Sequence, residues 1–131
     1  MRSLIKPATV IGLPLFLGAC VGAMAPSSNV ARVGIGQSAA LGTIRLVPLQ
    51  LIEDSRCPVG TQCASPGQLR VRVTVQPPQG PHQRTLTLGQ PELISGGTLL
   101  LEEARPHPVA GERPVGSDYR FTFRFTVPRT H

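Results

Sequence analysis

The residues with the most chemical potential are a short acidic and basic cluster, a scattered set of arginines and three histidines. Glu53-Asp54-Ser55-Arg56 places two carboxylates and a guanidinium within four positions. Neighbouring side chains on a strand point to opposite faces, so Glu53 and Asp54, like Glu102 and Glu103, are poorly placed to act on one substrate as acid and base. Asp commonly accepts bonds from the backbone N–H groups of a turn, which suits Asp54. Arg56 can pair with Asp54 or Glu53, or reach loop carbonyls. The cluster reads either as a binding site on a rigid loop or as a polar network that fixes a turn; the network is the simpler account. Arg70, Arg72, Arg120 and Arg124 sit at alternate positions of two stretches. If those stretches are neighbouring strands, the four form a basic patch for anions; the plainer reading is the wet face of a sheet. His82 and His107 fall in Pro-rich segments and His131 is the final residue, and their spacing shows no convergence on a metal. Ser95 and Ser117 lack a G-x-S-x-G context, and there is no H-E-x-x-H, P-loop or G-x-G-x-x-G pattern. No catalytic residue, metal ligand or cofactor is assigned.

The elements that must position these residues read as strands. In Gln68 to Gln76, Leu69, Val71, Val73 and Val75 share one face, while Arg70, Arg72 and Thr74 share the other. In Tyr119 to Val127, Tyr119, Phe121, Phe123, Phe125 and Val127 alternate with Arg120, Thr122, Arg124 and Thr126. Such alternation means one buried and one wet face, as in antiparallel sheets. Weaker strands are expected at Arg32 to Gln37, Thr43 to Glu53, Arg84 to Leu88 and Thr98 to Ala104. Within Thr43 to Glu53 the apolar phase changes at Pro48, which predicts a bulge or an edge position. Pro77 to His82, Ser95 to Gly97 and Arg105 to Gly116 read as turns and loops. Short strands and abundant Gly and Pro predict an all-β fold, a small antiparallel β-sandwich with an immunoglobulin-like arrangement in view; a small barrel is the alternative. The expected organisation is an export segment over 1–19, a tether over 20–30 and one β-domain over 31–131.

The first twenty residues carry their own message. Arg2 and Lys6 form a basic start, and the apolar run from Ala8 to Leu17 has signal-peptide length, well short of the about 20 residues a membrane span needs. Leu17-Gly18-Ala19-Cys20 resembles the lipobox of bacterial lipoproteins. The resemblance implies cleavage before Cys20 and acylation of its sulfur; an ordinary signal peptide cut after Ala23 or Ala25 is the rival. By resemblance to the sorting rules of enteric lipoproteins, Val21, rather than Asp, favours the outer membrane, with the domain facing the periplasm. Once Arg2 and Lys6 are removed, eleven arginines face seven acids and no lysine remains, a net charge of +4. That set suits anion binding, but without a clustered basic run it reads more simply as codon bias.

With Cys20 as the lipid site, Cys57 and Cys63 remain as a pair in an oxidising compartment. Pro58 and Gly60 between them favour a reversal, so a structural disulfide is expected, contributing about 2 kcal/mol. A metal or redox pair is the competing reading; there are no nearby histidines, and the spacing is not C-x-x-C.

Glu53-Asp54-Ser55-Arg56-Cys57-Pro58, then Gln62-Cys63 and Gly67 ahead of an alternating strand, resembles a group of small bacterial exported proteins and lipoproteins. Gly36-Gln37-Ser38 and Asp118-Tyr119 extend the resemblance loosely. Ala64-Ser65-Pro66-Gly67 stands where members carry a hydrophobic-Trp-Ala-Gly segment. The resemblance implies no activity and brings no catalytic residue. The resulting expectation is a non-enzymatic envelope module, joined to the membrane by lipid on Cys20. Its partner would be an envelope component (lipid head groups, lipopolysaccharide phosphates, peptidoglycan carboxylates) or a protein. An envelope enzyme with an unrecognised site is the alternative. Nucleic acid is not expected, since no exposed aromatics are placed to stack bases.

Overall fold

The computed structural model describes residues 7–15, 18 and 28–129. Cys20, Val21 and His131 lie outside the described residues, as does most of the expected tether. Residues 7–15 form neither helix nor strand, and Val10, Ile11, Leu13 and Leu15 are each more than four-fifths exposed. No helix among the described residues is long and apolar enough to cross a membrane.

From Val30 onward the chain is a two-layer β-sandwich. One sheet holds β1 (Val30–Val33), β8 (Arg120–Thr126), β7 (Gly97–Arg105) and β6 (Glu92–Ile94) in that order; the other holds β2 (Ala39–Leu41), β3 (Ile44–Asp54), β4 (Leu69–Gln76) and β5 (His82–Thr87). All ladders are antiparallel, and the sheets stay open rather than closing into the alternative barrel. The alternating strands bury their expected faces. Leu69, Val71, Val73 and Val75 of β4 meet Tyr119, Phe121, Phe123 and Phe125 of the chain's last strand region in one core. β8 lies between β1 and β7, so its phenylalanines have covered neighbours on both sides. Val127 departs from the expected phase: it follows the end of β8 and is 53% exposed.

β3 runs through the middle of its sheet and is bulged twice, between Pro48 and Gln50 and between Leu51 and Glu53. Each extra residue resets the side-chain phase. Pro48 stays buried, Leu49 turns outward, and Leu51 returns towards the core. The second bulge turns Glu53 outward beside Arg70 and Asp54 inward beside Leu69.

Several expectations shift. The first strand starts at Val30 and ends at Val33, because Gly34 to Gln37 close a turn in which the Gln37 N–H donates to the Gly34 carbonyl. His82 belongs to β5 rather than to the preceding loop. Short strands β2 and β6 appear where none was expected.

The sandwich has two poles. At one, the Gly42 N–H donates to the Ser28 carbonyl, Ser95 Oγ donates to Gln79 Oε1 at 2.7 Å, and β8 runs out at Thr126 opposite Thr98. The chain enters the domain at this pole. At the other pole, the loop after β3 meets the loop after β7, and the Val59 N–H donates to the Pro108 carbonyl at 3.0 Å.

Candidate functional site

The expected acidic and basic cluster lies at the second pole and gains a third member from the far end of the chain. Arg56 forks onto Asp54, with Nε to Oδ1 at 2.8 Å and Nη2 to Oδ2 at 2.9 Å. The guanidinium also donates to the Ala104 carbonyl at 3.0 Å and the Pro106 carbonyl at 2.9 Å. From the opposite sheet, Tyr119 Oη donates to Asp54 Oδ2 at 2.7 Å. Asp54 faces Tyr119 because of the bulge at Ile52, and Tyr119 faces Asp54 because it precedes Phe121 in the inward phase of β8. The three side chains therefore latch the two sheets together and hold the loop after β7.

Burial opposes ionisation of Asp54. It is outweighed by the hydrogen bonds from Arg56 and Tyr119 and by the charge on Arg56, so the carboxyl lies below its ordinary 3.8. The hydrogen bond to Asp54 raises the Arg56 guanidinium above its ordinary value, against the opposing effect of burial. Burial, followed by the hydrogen bond to Asp54, pushes the Tyr119 hydroxyl up to about 12. At neutral pH the set is a carboxylate, a guanidinium and a neutral phenol, with the carboxylate bonded to both of the others. That arrangement braces a structure; it does not hold a proton ready for transfer.

Glu53, on the other face, works on the next loop. It accepts from Ser55 Oγ at 3.1 Å and Gln68 Nε2 at 2.8 Å, and lies 4.0 Å from Arg70 Nη1. Ser55 N–H donates to the Gln68 carbonyl and Cys57 N–H to the Pro66 carbonyl, so β3 and β4 continue as a narrow stem. The Cys57–Cys63 disulfide, with Cα atoms 5.9 Å apart, closes its tip. Gly67 permits the stem: its φ is +69°, and a Cβ there would overlap the Ser55 carbonyl.

The tip leaves apolar surface in view. Val59 is 70% and Val109 45% exposed, and the two pair in a parallel bridge. Beside them lies a cavity of about 430 Å³, lined by Arg56, Val59, Pro66, Leu88, Glu103 and His107 among others. A second, of about 420 Å³ on the other side of the latch, includes Asp54, Tyr119, Glu112 and Arg113. Among the described residues, no group of His, Cys, Asp and Glu converges as a metal site.

The four-arginine patch does not form. β4 and β8 belong to different sheets, so Arg70 and Arg72 lie on one outer face and Arg120 and Arg124 on the opposite one. Arg124 is engaged by Glu102 at 3.1 Å, and Arg120 Nη1 donates to the Ser117 and Tyr119 carbonyls. Tyr119, Val59 and Val109 were not singled out as site residues. The signal for Tyr119 was its place in the inward phase of the last strand; Val59 and Val109 carry no local signal. Compared with protein-family models, curated proteins and solved structures, the chain matches none.

Proposed function

We propose that this chain is a lipid-anchored protein of the bacterial cell envelope, held at Cys20 on the outer membrane and facing the periplasm, and that it works as a non-enzymatic binding module. The observation that carries the binding role is the braced pole. Val59 and Val109 stay exposed although the disulfide, the Asp54–Arg56–Tyr119 latch and the Val59–Pro108 bond hold their loops in place. Apolar side chains on prefixed loops lose little entropy when a partner covers them. The compartment is supported by the disulfide, which persists where thiols are oxidised. The exposed run from Val10 to Leu15, which takes no part in the core, fits an export segment. The enzyme alternative has Glu103 and His107 at the cavity beside Val59 in its favour.

One experiment joins the parts. Cells grown with labelled palmitate express the chain with a photo-crosslinking residue at Val59 or, as a control, at exposed Gln83 on β5. Label is expected on the chain and absent from Cys20→Ala, with a discrete adduct from Val59 alone. Label that survives Cys20→Ala rejects the anchor; equal adducts from both positions reject the braced pole as the binding surface.

A further inference from the structure

The depressions at the two poles differ in charge, and the chain enters at the pole where they are uncharged. Two depressions there, of about 630 and 250 Å³, share Ser95 as a lining residue. Pro77, Pro81 and His82 line the first, Leu93 and Pro128 the second, and no Asp, Glu, Lys or Arg lines either. Both cavities of the opposite pole include Arg56 and carboxylates. In a domain rich in arginine, uncharged depressions can leave water without stranding an ion, and Arg129, exposed next to Pro128, can keep its charge in contact with polar groups. The pole also carries apolar side chains that the fold does not use: Leu93 is 83% and Val127 53% exposed.

Its position completes the argument. Ser28, bonded to Gly42 at this pole, lies eight residues after Cys20. Eight residues span at most about 28 Å. If Cys20 carries the lipid, this pole stays within that distance of the bilayer. Confinement on such a short chain gives a high effective concentration, so a weak contact is enough to dock the domain.

We infer that the domain lies on the phospholipid surface of its own membrane through this pole, with Leu93 and Val127 entering the headgroup layer and Arg129 facing lipid phosphates. The inference rests on the anchor at Cys20. It sets the disulfide pole away from the bilayer, where a partner can reach Val59.

The chain has no tryptophan, so one introduced indole is an unambiguous reporter. The full lipidated chain, as Leu93→Trp, Val127→Trp or Val59→Trp, is reconstituted in vesicles of phosphatidylethanolamine and phosphatidylglycerol. All three sites are exposed, so the substitutions leave the core intact. For Leu93→Trp and Val127→Trp, acrylamide quenching is expected to fall severalfold relative to Val59→Trp, and lipids with brominated acyl chains are expected to quench emission. Lipidated protein that floats with the vesicles but shows equal acrylamide access at all three sites overturns the docking alone. Shielding without bromine quenching assigns the pole to a second copy of the chain and also overturns it. Protein without lipid at Cys20 overturns the anchor and the docking together.

Discussion

At Asp54 two effects compete, and their balance gives the latch its pH dependence. Burial favours the neutral acid, while the bonds from Arg56 and Tyr119 favour the carboxylate and prevail. A carboxyl lowered on folding contributes stability that is present above its unfolded value of 3.8 and lost as pH falls through the folded value. Tyr119 has the opposite sense. Its hydroxyl rises from 10.0 to about 12, so its contribution is present below pH 10.0 and disappears towards about 12. Denaturant melts across pH should show both losses; Asp54→Asn should remove the acid limb and Tyr119→Phe the alkaline one. In a double-mutant cycle, Asp54→Ala and Arg56→Ala should couple by about 1–3 kcal/mol. Unchanged stability in the single variants would return the cluster to a binding role. Half of this latch was legible in the sequence. Asp54 and Arg56 stand two positions apart with opposite charges, so their pairing could be read locally. Tyr119, sixty-five residues beyond Asp54, could not, because its approach depends on which sheet its strand joins.

Among the elements, the stem after β3 depends most on a covalent link. Between Ser55 and Gln68 its backbone bonds are few, and residues 59–68 are exposed, so little apolar burial holds it. Replacing both cysteines by serine should cost about 2 kcal/mol in a thermal melt. The same change should raise amide exchange at Val59 before that of β4, because the Val59–Pro108 bond loses its support. A melt unchanged by the substitution would show that the latch alone sets the loop. Legibility at this scale followed length and phase. β4 and β8 each alternate over seven residues or more, and both were located to within a residue or two. β2 and β6 have three residues each, too few to establish a period. The bulge near Pro48 was expected from its broken phase; the one at Ile52 was hidden because Leu51-Ile52 reads equally well in either register.

For the molecule as a whole, the decisive fact absent from the sequence was how strands sort into sheets. Alternation tells which face of a strand is wet, but not which other strand shares that face. The arginines of β4 and β8 therefore looked like one patch and belong to two outer surfaces, separated by the core. The same arrangement sets up a test on neighbouring positions of one strand. Phe123 is fully buried between the sheets, while Thr122 points to the outer face opposite Arg32 of β1 and Glu103 of β7. Phe123→Ala removes a ring from a core that cannot collapse around the gap and should cost about 3–5 kcal/mol. Against a total of about 5–15 kcal/mol for a domain, that is enough to lower the melting temperature by tens of degrees or abolish folding. Thr122→Ala should stay within about 1 kcal/mol, the cost of trading a strand-favouring side chain for a smaller one. Guanidinium melts of the two variants measure the contrast directly. Comparable losses at both positions would mean that the outer face of β8 is covered as well, and that the sandwich carries a third layer.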